Sequence, residues 1–350
     1  MAQIQGLDAR DLPPDVVRSA YKKYGKISPA EIDHDPDILD LQRIDPDSLP
    51  EELAVSQYMS SQDLRLAFDD FIRGGHAFNK EHAPLAEDVP VFTHNAVSGL
   101  WMIPSLFPPT VQMELLSRLI HRDLSNPEYQ TNLDLHYHVT YPQGWQADGG
   151  GKSFFADDPA RLLQLKDPQT HSPLSIQKAL EKKLRWVMLC RQQDETPGVD
   201  APGTSSNFPS DIARLLQTPF PQAEAYAATL NLSSADETLS AHRDATAHQD
   251  VGLVSVNFGC DCLFLVSSDD GEGPKVIRLR SGDAVYMNGS ARFAWHGVPR
   301  ILPSTCPGWL ADWPSVAGVE QGRDAQYSMW KGWMSTKQIN LTVRQMARIS

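Results

Sequence analysis

Apolar and polar positions alternate along much of the C-terminal half of the chain, which is the pattern of half-buried β-strands. Residues 251–267 are rich in β-branched and aromatic residues, residues 275–280 alternate apolar with basic positions, and residues 339–344 place an apolar side chain at every second position. Turn-forming Gly, Asp and Pro residues separate these runs. The pattern predicts a series of short antiparallel strands.

Three segments show the spacing of amphipathic helices instead. We predict one helix over Ser61–Arg73, a second over residues 111–124 with Thr110 as its cap, and a shorter third that begins at Ser210. The last two precede the run of strands. This order of elements predicts an α+β domain built on a sheet sandwich or a jelly roll.

The first 95 residues differ in composition from the rest of the chain. Residues 28–52 are acidic and interrupted by prolines, so we expect this segment to be irregular or to lie along the surface. We therefore divide the chain into an N-terminal extension, residues 1–95, which is partly irregular and partly helical, and a main domain, residues 96–350.

Composition narrows the compartment and the class of partner. The chain has 350 residues, a mean hydropathy of -0.37 and no apolar run of membrane-spanning length, so no membrane partner is expected. The start has no signal-peptide pattern, which favours the nucleus or the cytoplasm and leaves the mitochondrion open. The four cysteines are scattered, as small buried apolar residues of a reducing compartment would be.

The net charge of -13 counts against a protein that coats nucleic acid non-specifically. A local basic groove remains compatible with this charge. The candidate clusters are Lys22, Lys23 and Lys26; Lys182, Lys183 and Arg185; and Lys337, Arg344 and Arg348. For the first two clusters, a solvated helix face is the simpler interpretation.

One pattern within the strand-rich half carries chemistry. His242 and Asp244 are two residues apart, so they share a face of an extended strand, and His296 follows within the same half. Taken singly, His242 and Asp244 are more typical of solvated side chains on a surface strand, and His296 is more typical of a core histidine with its hydrogen bonds satisfied. Two imidazoles and one carboxylate with three open positions describe the facial triad of non-haem Fe(II) oxygenases. Together the three residues predict a metal site.

The sequence around these residues resembles the AlkB family of Fe(II)/2-oxoglutarate dioxygenases, nearest its eukaryotic AlkB homologue 1 branch. The resemblance rests on LNLSSADETLSAHRDATAHQDVGLVSVNFG, VIRLRSGDAVYMNGSARFAWHGVPRILP and QINLTVRQM, and it extends from about residue 96 to the C-terminus. It implies a double-stranded β-helix (jelly-roll) core with flanking helices. It also implies Fe(II) held by His242, Asp244 and His296, with 2-oxoglutarate as cosubstrate and O2 consumed.

The resemblance implies a cosubstrate site that is only partly retained. Asn231, Asn340 and Arg344 match family positions beside the cosubstrate. The family's first arginine, which binds the distal carboxylate of 2-oxoglutarate, falls on Gln338, and its tyrosine falls on Ser233. A lost hydrogen bond to a buried carboxylate costs about 1.5–3 kcal/mol. We therefore expect an altered distal end.

A cation from another strand could substitute for the missing arginine. Lys337 is adjacent to Gln338, but strand alternation is expected to point it to the opposite face. Arg278, Arg280 and Arg300 are the candidates from neighbouring strands.

The aromatic residues that hold the target base in the family fall on Cys190–Gln193 here. Tyr137 or a tryptophan from residues 303–335 could take over that role, or the tryptophans could pack this long loop onto the sheet. The tryptophans are Trp309, Trp313, Trp330 and Trp333.

The resemblance implies an oxidative demethylase of N-methylated nucleobases in DNA or RNA, including tRNA, which releases formaldehyde from a single-stranded or flipped base. The alternative is a catalytically degenerate AlkB-like module that binds nucleic acid or protein. A third interpretation is an oxygenase adapted to another 2-oxo acid, or to a protein or lipid substrate. None of these interpretations predicts a particular oligomeric state.

Overall fold

The computed structural model describes residues 11–73, 87–142, 153–190, 208–223, 227–235, 237–244, 252–268, 273–315 and 324–344. The helices within these ranges include several short 3-10 and π-helical turns. The α-helices are α1 Asp15–Lys26, α2 Pro29–Ile32, α3 Ser61–Arg73, α4 Pro109–Ser117, α5 Ile176–Lys178, α6 Ser210–Gln217 and α7 Gly308–Ala311. The π-helical turns are Arg118–Asp123 and Ala179–Lys183, and the 3-10 turns are Leu41–Arg43, Asn132–Leu135, Phe154–Ala156, Gly289–Phe293, Asp324–Trp330 and Met334–Thr336.

The strands are numbered in chain order. They are β1 Ile38–Asp40, β2 Leu53–Met59, β3 Val89–His94, β4 Val97–Ile103, β5 Gln130–Thr131, β6 Tyr137–His138, β7 Leu162–Leu165, β8 Leu174–Ser175, β9 Trp186–Leu189, β10 Ala227–Ser234, β11 Leu239–His242, β12 Leu253–Gly259, β13 Cys262–Val266, β14 Lys275–Leu279, β15 Ala284–Met287, β16 His296–Ile301 and β17 Lys337–Arg344.

Two sheets face each other and form the jelly-roll core that the family resemblance predicted. Among the described residues, the larger sheet has the order β2-β3-β4-β15-β12-β17-β10-β9-β5 and the smaller has β1-β14-β13-β16-β11. From β10 to β17 the chain passes repeatedly between the two sheets, and its pairings within them are antiparallel. The short strands β6, β7 and β8 form a separate three-stranded sheet. The α+β prediction is confirmed.

Helix α1 covers the outer face of the smaller sheet. Its buried side chains Val17 and Tyr24 pack in one cluster with Leu263, Leu265 and Trp295. As a result β13 is buried along its whole length, on the cavity side by the larger sheet and on the other side by α1. This two-sided burial explains why β13 reads as a continuous apolar run rather than an alternating one.

Residues before position 96 contribute to both sheets. β1 pairs in parallel with β14, and β2 and β3 extend one edge of the larger sheet. The predicted boundary at residue 95 falls in the turn that joins β3 to β4. The expectation that residues 28–52 are irregular is met only in part, because turns there alternate with α2, β1 and the 3-10 turn Leu41–Arg43. β1 is a strand because β14 offers it a free edge.

The predicted helices form with two corrections, both in the second helix, whose α-helical part ends at Ser117 and continues as the π-helical turn Arg118–Asp123. α3 has the predicted bounds, and α6 begins at Ser210 as predicted. The assignment of Thr110 as a cap was wrong: α4 begins at Pro109, and Pro108 occupies the N-cap position. Proline suits this first turn because the backbone N–H at that position has no partner within the helix, so its absence costs no hydrogen bond. None of the described helices has the length and apolar character needed to cross a bilayer.

The long segment after β16 is anchored to the core by its aromatic rings. Trp313, Trp330 and Trp333 are each at most 6% exposed, and the last two donate their indole N–H groups to the carbonyls of Phe155 and Leu180. The packing interpretation is therefore confirmed for these three tryptophans. The fourth, at position 309, is 38% exposed.

His121 lies at the centre of this aromatic packing. Its ring stacks on Trp313 and Tyr327, with centroids 5.2 and 4.7 Å away, and its Nδ1 lies 2.8 Å from the Ser153 hydroxyl. Burial lowers the pKa of His121 to about 3. The folded chain thus keeps this imidazole neutral where the unfolded chain would protonate it.

We predict that this neutral histidine makes the fold acid-sensitive. Because the folded-state pKa lies below the ordinary value near 6.5, stability is lost as the pH falls through that value. Between pH 7 and 5.5, wild type should lose about 1 kcal/mol more unfolding free energy than His121→Phe. Urea denaturation at both pH values measures this difference. The exposed His34→Phe is the control, and equal losses in all three proteins would refute the assignment.

Candidate metal centre and adjoining cavity

Strand pairing brings the two predicted histidine ligands together. His242 ends β11, His296 begins β16, and the two residues are register partners across the antiparallel ladder. Their ring centroids are 4.5 Å apart. Asp244 follows two residues after His242, and the ligand atoms of all three side chains lie within 4.8 Å of one another. The sequence-predicted triad is therefore a spatial cluster.

Backbone carbonyls orient both imidazoles. The Nδ1 of His242 lies 2.9 Å from the Ser240 carbonyl, and the Nδ1 of His296 lies 3.0 Å from the Ala294 carbonyl. Because a carbonyl can only accept, each Nδ1 donates, and each Nε2 keeps its lone pair for a metal. Two such nitrogens and one carboxylate fit Fe(II) with open positions for a second ligand.

Arg292 holds the carboxylate of the triad. Its Nη1 donates to Asp244 Oδ2 at 2.8 Å, while Asp244 Oδ1 lies 3.9 Å from His242 Nε2. Arg292 is only 2% exposed. Sequence reasoning missed this residue, although a charged residue within the apolar run ARFAWH was a usable signal.

The electrostatics of the cluster suit metal binding. Burial alone would raise the pKa of Asp244, but the neighbouring His296 and Arg292 outweigh it, so the pKa lies below its usual value. Burial and the nearby His242 lower the pKa of His296 to about 4. At neutral pH the site therefore presents an ionised carboxylate and a neutral His296 imidazole, which are the forms that bind a cation.

A cavity of about 340 Å³ between the two sheets adjoins the triad. The eight residues predicted to hold the metal or the cosubstrate all line this cavity; the roles assigned to them remain predictions. They are Asn231, Ser233, His242, Asp244, His296, Gln338, Asn340 and Arg344. Apolar residues complete the wall, among them Leu253, Phe264 and Met287.

Strand β17 supplies a polar row along the cavity. Gln338, Asn340, Thr342 and Arg344 all line the cavity, as alternate residues on one face of the strand. The charge of Arg344 helps to lower the pKa of Asp244, so Arg344 lies toward the triad. Six residues of strand span roughly 20 Å, which places Gln338 toward the opposite end.

Hydrogen bonds preorganise this row. Asn340 Nδ2 donates to the Ser255 hydroxyl at 2.8 Å, and Asn340 Oδ1 accepts from Thr342 Oγ1 at 2.7 Å. Arg344 Nη2 donates to the Thr229 hydroxyl at 2.9 Å. Arg344 therefore keeps further N–H groups for a ligand carboxylate, because its guanidinium has five donors.

At one end of the cavity, the neutral amide of Gln338 stands where the family has an arginine. Gln338 is 3% exposed and donates its Nε2 to Asn257 Oδ1. Its register partners on the two neighbouring strands are Ser233 and Gly259. Of the described residues that line the cavity, only Arg185 and Arg344 carry a guanidinium. Sequence reasoning did not assign Arg185 to the cavity; it is 2.8 Å from Glu237.

The three arginines considered as substitutes are held elsewhere. Leu279 lines the cavity, so strand alternation turns Arg278 and Arg280 to the outer side of the smaller sheet. Arg278 pairs there with Asp261 at 2.8 Å, and Arg280 pairs with Asp40. Arg300 does not line the cavity, and its Nη1 donates to the carbonyl of Gly25 at 3.3 Å.

Lys337 points away from the cavity, as strand alternation predicted. Its Nζ donates to the Ser234 hydroxyl at 2.8 Å and to the carbonyl of Glu181.

Trp186 is the aromatic residue that sequence reasoning overlooked. It lies on β9 opposite Asn231 and lines the cavity. Tyr137 instead donates its hydroxyl to the carbonyl of Ser172 at 3.0 Å and is absent from the cavity wall. Residues 191–193, where the family's aromatic stretch falls, lie outside the described residues.

Comparison with known proteins shows which family the chain resembles. A model of the 2OG-Fe(II) oxygenase superfamily matches residues 99–344. The chain is 38% identical to the "N6-methyladenosine RNA demethylase ALKB1" of Pyricularia oryzae over 97% of this chain and 98% of that protein. It is 32% identical to the "tRNA demethylase abh1" of Schizosaccharomyces pombe over 73% and 82% of the two chains. The solved structure of OsALKBH1 aligns with a TM-score of 0.40 and 15% identity over 71% of this chain and 97% of that one.

We predict that Arg292 is a positioning residue for the metal. Replacing it in Arg292→Met frees the Asp244 carboxylate to rotate, which should weaken Mn(II) binding about 10- to 100-fold. Calorimetric titration measures this affinity. Arg292→Lys keeps a cation and should recover part of the loss, and the exposed Arg214→Met is the control. A folded Arg292→Met protein with wild-type Mn(II) affinity would exclude this role.

Proposed function

The chain belongs to the 2OG-Fe(II) oxygenase superfamily, and we propose that it is an oxidative demethylase of N-methylated nucleobases in RNA or DNA, including tRNA. The observation that carries this proposal is the convergence of His242, Asp244 and His296 at a cavity between the sheets. The demethylase names of two relatives support the substrate class, with N6-methyladenine as the first base to test.

Each part of the site has a role in this reaction. His242, Asp244 and His296 would hold Fe(II), which together with a 2-oxo acid and O2 supplies the oxidising power for removal of the methyl carbon as formaldehyde. Arg344 and Asn340 would orient the carboxylate of the 2-oxo acid.

The cavity wall offers a surface for the base. Trp186 presents an aromatic ring of the kind on which a nucleobase stacks, and Leu253 and Met287 add apolar surface beside it. A base inside a duplex cannot reach a recessed metal, so a single-stranded or flipped base is the expected substrate.

The central test is formaldehyde release. Wild-type protein with Fe(II), 2-oxoglutarate and O2 should demethylate N6-methyladenine in a single-stranded RNA oligomer, with matched DNA and N1-methyladenine oligomers as further arms. Asp244→Ala removes the anionic ligand and should lower the rate by on the order of 100-fold or more. Asp47→Ala changes an exposed carboxylate in the turn before β2, away from the cavity lining, and should leave the rate unchanged. No formaldehyde from metal-loaded wild type on any arm would refute the proposal.

The neutral amide at position 338 favours a second candidate, either a binding module or an oxygenase with relaxed choice of 2-oxo acid. Gln338 is an amide at the far end of the polar row on β17, and it is hydrogen-bonded to Asn257 rather than to a cation. A five-carbon diacid bound through Arg344 would thus meet no charge from Gln338 at its distal carboxylate. Arg185 is the described cavity residue that could reach it from the rim.

We predict that the charge at position 338 determines how strongly the site prefers 2-oxoglutarate over a 2-oxo acid without a distal carboxylate. Gln338→Arg supplies a charged hydrogen-bond donor worth about 1.5–3 kcal/mol, so it should tighten binding of 2-oxoglutarate about tenfold or more. Binding of 2-oxobutyrate, which lacks the distal carboxylate, should not tighten. Calorimetry on Mn(II)-loaded protein measures both constants.

The control for this experiment is Gln217→Arg, which adds the same charge at an exposed position of α6. If wild type already prefers 2-oxoglutarate more than about 100-fold and Gln338→Arg adds nothing, another group binds the distal carboxylate. If metal-loaded wild type binds no 2-oxo acid at all, the binding-module interpretation gains the support that the demethylase loses.

A further inference from the structure

Cations from two distant parts of the sequence meet beside the metal cavity. Residues between positions 178 and 185 and between 329 and 337, together with the end of β10, line an open groove of about 840 Å³, called here the basic groove. Its cationic residues are Lys178, Lys182, Lys183, Arg185, Lys331 and Lys337. This concentration of positive charge contrasts with the net charge of -13 on the whole chain.

The charges of the groove are only partly neutralised. Its acidic lining residues are Glu181 and Glu237, against six cations, and Arg185 pairs with Glu237 at 2.8 Å. Lys331 lies 3.7 Å from the exposed Asp312. Lys182 and Lys183 are exposed and make no ion pair within the described part of the chain. These two lysines are therefore available to an anionic partner.

Tertiary contacts fix the floor of the groove. The Lys337 side chain is buried, and besides its hydrogen bonds to Ser234 and Glu181 its Nζ lies 5.8 Å from the centre of the Trp333 ring. Trp333 in turn donates to the Leu180 carbonyl. These contacts attach the segment before β17 to the π-helical turn that carries the exposed lysines.

The groove is continuous with the metal cavity. Arg185 lines both spaces, and its neighbour Trp186 lines the cavity. On β10, Ser233 lines the cavity and Ser234 lines the groove. A polymer lying in the groove thus passes directly beside the rim through which a base would enter.

We propose that the basic groove binds the phosphodiester backbone of single-stranded RNA or DNA next to the base that enters the cavity. This inference rests on the proposed function and names how its substrate is held. Exposed Lys and Arg side chains bind phosphate without reading sequence, and they position a strand in register. The simpler sequence interpretation, in which Lys182 and Lys183 only solvate a helix face, does not account for their meeting with Lys331 and Lys337.

The test compares two charge reversals of equal size. Lys182→Glu with Lys183→Glu changes the groove, and Lys22→Glu with Lys26→Glu makes the same change at exposed positions of α1. Fluorescence anisotropy measures the affinity for unmodified single-stranded RNA and DNA of roughly a dozen nucleotides. Melting temperature and Mn(II) affinity show whether each variant is folded.

The groove pair should bind both polymers about tenfold or more weakly at low salt, and the α1 pair within about twofold of wild type. The dependence of log K on log salt should become shallower by about 1.4 for the groove pair, since each phosphate contact to a single strand contributes about 0.7. The absence of both changes would overturn the proposal, and so would equal losses in the two pairs, which would reflect overall charge alone.

The partner class is tested separately from the reaction. Because the RNA is unmodified, a loss of binding in the groove pair stands even if wild type releases no formaldehyde, and demethylation without such a loss overturns only the groove. A loss confined to RNA or to DNA would contradict backbone recognition, since phosphates are common to both. Competition by poly-glutamate as strong as that by RNA would assign the groove to an acidic protein segment instead.

Discussion

The antiparallel pairing of β11 with β16 is the constraint on which the site depends. It sets His242 opposite His296 in register, and each Nδ1 donates to the carbonyl two residues before it, which leaves both Nε2 atoms to a metal. A shift of one residue would turn one imidazole to the other face of the sheet. The helix α1 supports this pairing from outside, where the Tyr21 hydroxyl donates to the Leu239 carbonyl.

The larger sheet supplies the polar side chains that face the metal-binding cluster across the cavity. β17 runs along the facing wall with Arg344 toward the triad and Gln338 away from it, so one strand defines the long axis of the cavity. Enclosure between the two sheets also strengthens each charge–charge interaction relative to water, because the effective dielectric constant is lower there. This is why Arg292, buried and bonded to Asp244, belongs to the site although it is not a predicted ligand.

For an anionic partner, the local charge of the basic groove matters more than the total charge of the chain. The chain is acidic overall, yet six cations line one groove, because the turn before β9 and the segment before β17 are brought together by Lys337, Trp333 and Leu180. The same packing logic governs the long segment after β16. Its buried tryptophans anchor it to the core, and this leaves Trp186 on β9 as an aromatic side chain of the cavity wall.

The sequence by itself determined what depends on local spacing. The step from His242 to Asp244, the alternation of β17 and the amphipathic pattern of α3 follow from strand and helix periods, and the family motifs added the jelly roll. Only the tertiary structure decided which distant side chains meet. The contacts of Arg292 with Asp244 and of Arg278 with Asp261 join different segments of the chain, and no periodicity within one segment encodes such contacts.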